Sequence, residues 1–172
     1  MADLSDTHFA PFKYAEPIRT MILRLKHGHN LLIARALAPY LAAVYLHLIK
    51  QPDQTHLIVP VPLYKSRYRE RGYNQSAVLA HEVASYLDLP VVEDALSRVK
   101  KTRMQKQMTA AERAANVQGA FAVVRPDKIA GQDILLLDDV YTSGATSGEC
   151  VRVLKAHGAK SVTILTIATA GL

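Results

Sequence analysis

The sequence predicts an α/β fold whose centre is a mostly parallel sheet. Short apolar runs alternate with segments of helical periodicity along the chain, which is the order expected of strands joined by crossover helices. The apolar runs are continuous, as in strands that are covered on both faces. With 172 residues and 49% hydrophobic side chains, the chain is predicted to form a single domain over residues 1–172, with a helical segment over 1–50 and a core over 55–172.

The N-terminal segment is predicted to hold two helices after an irregular start. Pro17 suits the first helical position, apolar residues follow at helical spacing, and Gly28 ends the helix. Asn30 is predicted to cap the second helix, in which Pro39 marks a kink or a restart. Polar and helix-breaking residues interrupt the apolar stretch 31–49, so we expect no membrane insertion. The acidic N-terminus does not resemble a secretory signal, and a cytoplasmic protein is expected.

The core is predicted as strands and helices in alternation. Its strands are expected at Leu57–Val59, Phe121–Val124, Ile134–Leu137 and Ser161–Ala168, with shorter candidates at 91–92 and 95–99. Its helices are expected at about 74–87 and at Thr146–His157, where Gly158 stops the second one. The segment from Lys100 to Arg113 has no apolar period and is predicted to be a long mobile loop.

Positive charge is concentrated in two segments. Of the 21 basic and 15 acidic residues, ten basic and two acidic ones lie within 63–74 and 98–113. The rest of the chain is therefore slightly acidic, although the net charge is +6. This segregation predicts an anionic ligand between the two segments. The alternative for the arginines of 63–74 is a solvated face beside Glu70.

Acidic and small polar residues follow the predicted strand Ile134–Leu137. Open parallel sheets bind ligands at the carboxyl ends of their strands. Asp138 and Asp139 stand there, suited to accept hydrogen bonds from sugar hydroxyls or to help hold a hydrated cation. In the loop from Thr142 to Thr146, small residues and hydroxyls precede a helix whose amides complete an anion cradle. A simple helix cap is the alternative, but the continuous order of these residues favours a phosphate site.

The run from Ile134 to Thr146 resembles the phosphoribosyl pyrophosphate (PRPP) signature of type I phosphoribosyltransferases. The resemblance implies a mainly parallel five-stranded sheet flanked by helices, with a small hood to which residues 1–50 would contribute. It implies that Asp138 and Asp139 bind the ribose 2′ and 3′ hydroxyls, and that Mg²⁺ is held mainly through the ligand rather than by a protein metal site. The implied 5′-phosphate loop comprises Thr142, Ser143, Gly144, Ala145 and Thr146, and Val140 and Tyr141 are further substrate-binding candidates.

A second segment resembles the ComF family, phosphoribosyltransferase-like proteins linked to competence and DNA uptake. The resemblance is carried by Val59-Pro60-Val61-Pro62-Leu63, Arg67, Arg71-Gly72-Tyr73-Asn74-Gln75, and then Gln105, Met108, Arg113, Asn116 and Phe121. Tyr14, Pro17-Ile18-Arg19 and Leu25-Lys26 also fit, so it covers almost the whole chain from Phe12. Many ComF proteins begin with a cysteine zinc ribbon. This chain has Cys150 alone, so no metal finger is expected.

The resemblance extends the expected site to both basic segments. The first basic segment is predicted to be a loop after strand 57–59 that would hold the pyrophosphate, since arginine forks suit phosphate oxygens. Its candidate residues are Leu63, Tyr64, Lys65, Ser66, Arg67 and Arg71. The second basic segment resembles the flexible loop that closes over the active site. Its candidates are Lys101 and Arg103, in a catalytic role with the two acids, and Lys106, in substrate binding.

Three classes of function remain open. The chain is expected to be an enzyme that transfers phosphoribose from PRPP to an unidentified base or amine, a PRPP sensor without turnover, or a DNA-handling factor that binds single-stranded nucleic acid. The acid pair and the basic loop favour the enzyme. Tyr64, Tyr68 and Tyr73 interleave with arginines and would suit base stacking, or packing around the hood. A homodimer is compatible with the sequence.

Overall fold

The structure of the chain is a computed structural model that describes residues 7–28, 30–51, 54–102 and 109–170. The strands are β1 (His8–Phe9), β2 (Phe12–Lys13), β3 (His56–Pro60), β4 (Leu96–Arg98), β5 (Phe121–Val123), β6 (Asp133–Tyr141) and β7 (Ser161–Thr169). The helices are α1 (Ile18–His27), α2 (Leu32–Val44) with a π-helical turn at Tyr45–Ile49, α3 (Lys65–Arg71), α4 (Gln75–Leu87), α5 (Ala110–Val117), α6 (Pro126–Ile129) and α7 (Ala145–Ala156).

A parallel five-stranded sheet forms the centre of the fold, as predicted. Strand β6 lies between β3 and β7, and both β1 and β2 pair with the other edge of β7, all in parallel. Strands β4 and β5 pair antiparallel in a separate sheet, and Val91 makes an isolated bridge with Ile58. The irregular start predicted for residues 8–13 is wrong, because two-residue strands carry too little pattern to be recognised.

Both faces of the sheet are covered, which explains the continuous apolar runs. Successive residues of a strand point to opposite faces. Leu135 and Leu137 of β6 therefore enter a core with α1, α2 and α4, whereas Ile134 and Leu136 enter a second core with α7, β4 and β5. The predicted helix at 74–87 is confirmed as α4, and the side chain of Asn74 caps it.

Helix α2 belongs to the first of these cores. It begins after Leu31 without a side-chain cap, so the predicted Asn30 cap is wrong, and it continues through Pro39. Its inner face, including Leu37 and Leu41, is buried. By length and composition alone, Leu32–Ile49 is the stretch of the described chain that could cross a membrane. The division into a hood segment and a core segment remains a prediction.

Two segments that were predicted as loops contain helices. The first basic segment includes α3, which buries no side chain and so has no apolar period to reveal it. The second basic segment ends in α5, whose start is fixed by reciprocal hydrogen bonds between Thr109 and Glu112. The intervening residues 103–108 lie outside the described part of the chain.

Candidate functional site

The acid pair lies where strand β6 extends beyond its neighbour β3. Strand β3 pairs with β6 only as far as Leu137, whereas β7 continues to pair with β6 as far as Tyr141. The predicted end of the strand at Leu137 is therefore wrong, because β7 holds the next residues extended. A cleft of about 230 Å³ lies at this edge, lined by Asp138, Asp139 and the chain that follows β3.

The surroundings of Asp138 disfavour the negative charge of its carboxylate. Its Oδ1 accepts hydrogen bonds from the Ser76 hydroxyl and from the Asp139 amide, both at 2.9 Å. Burial and, to a smaller extent, the Asp139 carboxylate raise the pKa of Asp138 to about 7, although these hydrogen bonds and Lys26 act in the opposite direction. A ligand that donates hydrogen bonds from hydroxyl groups or brings a cation would stabilise the ionised Asp138 carboxylate.

Asp139 is 4% exposed and forms an ion pair with a lysine of helix α1. Its Oδ2 lies 2.5 Å from the Lys26 ammonium, and its Oδ1 accepts a hydrogen bond from the Val140 amide at 2.9 Å. Burial acts to lower the pKa of Lys26, but the carboxylates of Asp139 and Asp138 outweigh burial and raise it. Lys26 therefore stays charged and neutralises one carboxylate of the pair.

The loop between β6 and α7 has the backbone that a phosphate cradle needs. Gly144 adopts a φ of 74° just before the helix, and a β-carbon there would also clash with the Tyr141 hydroxyl. Only glycine meets both conditions without strain. Thr142 and Ser143 are exposed, and the first amides of an α-helix have no partner within the helix. The two hydroxyls and the first amides of α7 are hydrogen-bond donors at a helix start, where an anion is favoured.

The N-terminal edge strand supports the cleft wall. His8 of β1 stacks on Tyr141, with ring centroids 3.8 Å apart, and its Nε2 lies 2.8 Å from the Thr166 hydroxyl oxygen. Because that hydroxyl donates to the Ala168 carbonyl, His8 is the donor in its contact with Thr166. Burial lowers the pKa of His8 to about 4, which keeps the ring neutral at physiological pH.

Three residues that the sequence analysis did not assign contribute to the site from distant elements: Lys26 of α1 and Arg98 of β4 line the cleft, and the buried Ser76 of α4 donates to Asp138. The Arg98 guanidinium lies 5.3 Å from the centre of the Phe121 ring. Its buried Nε has no hydrogen-bond partner among the residues that the structure describes. Two signals were available, since Lys26 fits the ComF pattern and Arg98 opens the second basic segment. Nothing in the sequence marked Ser76.

The structure brings only part of the predicted set to the cleft. The predicted residues that line it are Leu63, Asp138, Asp139, Val140, Tyr141, Thr142, Gly144 and Thr146. Ser143 and Ala145 belong to the same loop without lining the cleft. Tyr64 precedes α3 and bridges to Arg98, while Lys65 and Ser66 are exposed on α3. Lys101 is exposed and does not line the cleft, and Arg103 and Lys106 lie outside the described residues.

Arg67 and Arg71 line a different cavity of about 200 Å³ between α1 and α3, here called the α1–α3 cavity. Its other lining residues are Lys26, His27 and Glu70. Arg67 pairs with Glu70 at 3.0 Å, and burial lowers the pKa of Arg71. Lys26 lines both the cleft and this cavity, so the two are neighbours with a common wall.

The donor set at the cleft is compatible with a magnesium ion carried by a ligand. Within the described residues, no three His, Cys, Asp or Glu side chains gather as a metal site. The two adjacent carboxylates and the loop hydroxyls are oxygen donors, the type that Mg²⁺ prefers. Mg²⁺ that arrives on a diphosphate therefore meets suitable oxygen atoms here.

Comparison with known proteins identifies the family. The Phosphoribosyl transferase domain family matches residues 74–171. The chain is 34% identical over 163 residues to competence protein F of Haemophilus influenzae, covering 91% of this chain and 70% of the relative. It is 32% identical over 156 residues to DNA utilization protein YhgH of Escherichia coli K12, covering 88% and 66%. The chain thus spans about two thirds of the length of these curated relatives.

A solved structure supports the fold. Glutamine PRPP amidotransferase from B. subtilis, complexed with ADP and GMP, aligns with a TM-score of 0.50 and 20% identity, over 77% of this chain and 25% of that chain. At this identity the likeness concerns the fold alone. Together with the domain match and the two relatives, it confirms the type I phosphoribosyltransferase fold. The chain belongs to the ComF family of phosphoribosyltransferase-like proteins.

Proposed function

We propose that this protein binds PRPP with Mg²⁺ and transfers its phosphoribosyl group to a nitrogen nucleophile, with release of pyrophosphate. One observation carries the proposal. A single cleft joins the half-buried Asp138 and the buried Asp139 to the hydroxyl-bearing segment 142–146 at the start of α7. Carboxylates are acceptors for sugar hydroxyls, and a helix start preceded by glycine is suited to a phosphate.

The parts of PRPP are assigned by chemistry. The 5′-phosphate would take the loop 142–146, and the 2′ and 3′ hydroxyls would donate to the acid pair. The diphosphate would extend toward the chain after β3, where Leu63 lines the cleft and Arg98 offers a buried Nε without a partner among the described residues. An arginine fork can hold two phosphate oxygens at once.

The proposed reaction is a displacement at C1 of the ribose. The bond from C1 to the pyrophosphate oxygen breaks while a bond from C1 to the nucleophile nitrogen forms, through a transition state with oxocarbenium character akin to that of glycoside cleavage. The protein has little covalent work to do. Its residues position the ribose and stabilise the departing charge, and magnesium would neutralise part of the diphosphate.

Pyrophosphate release tests this function. The assay would offer PRPP and Mg²⁺ with a panel of purine bases, pyrimidine bases and ammonia. We expect one member of the panel to yield pyrophosphate and Asp138→Asn to lose that activity, while Asp133→Asn, at the opposite end of β6, retains it. PRPP binding without release from any acceptor would indicate a sensor. Failure to bind PRPP would reject both forms of the proposal.

Handling of single-stranded DNA is the second candidate, favoured by the relatives' names, competence protein F and DNA utilization protein. Helix α3 buries no side chain and presents Arg67, Arg69 and a Tyr68 that is 51% exposed. Basic and aromatic side chains together suit single strands. If α3 contacts the strand, Arg67→Gln with Arg69→Gln should reduce the slope of log affinity against log salt by about 0.7 for each lost phosphate contact. Lys128→Gln, on exposed α6, is the control.

A further inference from the structure

Lys26 forms the wall between two sites of opposite character. On one side is the cleft with the acid pair, and on the other is the α1–α3 cavity, where Arg67, Arg71 and His27 stand against Glu70. A hydrogen bond holds this end of α1 in place, since the Tyr73 hydroxyl donates to the Leu25 carbonyl in the last turn of the helix. A lysine at this point can direct its ammonium group toward either side.

Lys26 occupies the Asp139 oxygen that a ribose hydroxyl would need. Asp139 Oδ1 already accepts the Val140 amide. Asp139 Oδ2 lies 2.5 Å from the Lys26 ammonium and takes no further hydrogen bond from the described residues. Because Asp139 is 4% exposed, there is little room for a ribose hydroxyl and the ammonium to share this oxygen. A ribose that uses Asp139 must displace Lys26.

The cost of that displacement depends on the ligand. Removing a buried charge from its partner is strongly unfavourable unless another partner replaces it. Ribose 5-phosphate brings an anion only to the far loop, so the displaced Lys26 would face the cations Arg67 and Arg71. PRPP also carries a diphosphate at C1, close to the hydroxyls that displace Lys26. The diphosphate can therefore pair with the Lys26 ammonium while the ribose hydroxyls donate to Asp139.

We propose that Lys26 is a specificity-determining residue, which holds Asp139 in the free protein and passes to the diphosphate of the ligand on binding. This inference rests on the proposed function. It adds that the site selects PRPP over ribose 5-phosphate through an exchange of partners at one lysine. A direct contact between Lys26 and the diphosphate then accompanies each productive binding event.

The test compares the dissociation constants of Mg²⁺-PRPP and ribose 5-phosphate by calorimetry in the wild type and in Lys26→Met. The variant should bind PRPP more weakly, because the ammonium is lost. It should bind ribose 5-phosphate as well as the wild type or better, because Asp139 is no longer occupied. The dissociation constant of ribose 5-phosphate divided by that of Mg²⁺-PRPP should fall by at least about tenfold, the equivalent of one charge-assisted hydrogen bond. Arg24→Met, an exposed change on the same helix, should leave the ratio unchanged.

Other outcomes separate this inference from the function on which it rests. If both affinities fall by the same factor, Lys26 has a structural role only and the inference is overturned. If the wild type binds neither ligand, the proposed function fails and the inference falls with it. If the methionine variant does not fold, Lys26→Gln, which removes the charge but keeps a hydrogen-bond donor for Asp139, should still weaken PRPP binding more than ribose 5-phosphate binding.

Discussion

Strand β6 carries a carboxylate near each end, buried at Asp133 and half-buried at Asp138, and the two differ in how their charge is stabilised. Asp133 accepts a hydrogen bond from the Ser161 hydroxyl at 2.5 Å and pairs with Lys160 at 3.0 Å. Burial acts to raise its pKa, but the hydrogen bonds of Ser161, Gln54 and Lys160 prevail and lower it. At Asp138, burial is reinforced by a neighbouring carboxylate, and the pKa rises. A satisfied carboxylate belongs to the scaffold, whereas one held against a like charge is prepared for a ligand.

The largest expected effect is on ligand binding. Asp138→Asn and Asp139→Asn should each weaken Mg²⁺-PRPP binding by about 1.5 to 3 kcal/mol, because a charge-assisted hydrogen bond is lost. Asp133→Asn should leave the affinity within about twofold and lower the melting temperature instead, since its partners hold the other end of the sheet. Calorimetric titration of all three variants checks this. Equal losses of affinity in the three would remove the distinction between the two ends of β6.

Ligand should also stabilise the cleft end of the fold. At a hundred times the dissociation constant, Mg²⁺-PRPP should add about 2.7 kcal/mol to the free energy of unfolding. For a chain of this length that corresponds to a rise in melting temperature of roughly 5 to 10 °C. Thermal unfolding with and without ligand measures it, and the Asp139→Asn variant should show a smaller rise at the same concentration. An unchanged melting temperature at millimolar PRPP would contradict the prediction.

A smaller effect is expected from two glycines with the same backbone conformation. Gly144 in the phosphate loop and Gly131 before β6 both have a φ of 74°, but only Gly144 would place a β-carbon against Tyr141. Each change to alanine should cost about 1 to 2 kcal/mol of stability from left-handed backbone strain. Gly144→Ala should in addition weaken binding of ribose 5-phosphate, while Gly131→Ala should not. Chemical denaturation and ligand titration separate the two losses.

The smallest effect is a difference in pH dependence. The pKa of Asp138 in the folded chain is about 7, above the ordinary value of 3.8 for an aspartate, so its contribution to stability is present in acid and is lost as the pH rises toward and through 7. Asp138→Asn, which cannot ionise, should therefore unfold a few degrees above the wild type at pH 8 and show no such advantage at pH 4. At Asp133 the pKa is lowered, so Asp133→Asn should lose stability at pH 8.

The loop 142–146 before α7 could be located from the sequence because its residues are consecutive, and its role in binding a phosphate remains a prediction. An apolar run, two acids, small hydroxyl-bearing residues and a helix follow one another from Ile134 to Ala156, and the loop's conformation depends mainly on Gly144 and the helix start beside it. The length of β6 could not be predicted in the same way. Asp138 to Tyr141 are held extended by pairing with Thr166 to Thr169, and nothing local distinguishes them from a loop.

The basic residues show more clearly what could not be predicted from the sequence. Their concentration in two segments predicted an anion site, but charge alone does not specify a position. Helix α3 buries no side chain, so its periodicity carried no apolar signal. Arg67 and Arg71 of this helix line the α1–α3 cavity rather than the cleft. Among the described residues, Lys26 and Arg98 are instead the cations that line the cleft. The ComF pattern includes Lys26 but does not indicate that it contacts Asp139.

The sequence by itself determined the α/β fold, the parallel sheet, the family and the position of the loop before α7, because apolar periodicity, turn glycines and consecutive motifs are short-range properties of the chain. Tertiary structure alone decided that Lys26 faces Asp139, that Ser76 donates to Asp138, and that Arg67 and Arg71 lie across a separate cavity. These contacts join residues far apart in the chain, and they depend on where α1, α3 and α4 pack relative to the end of β6.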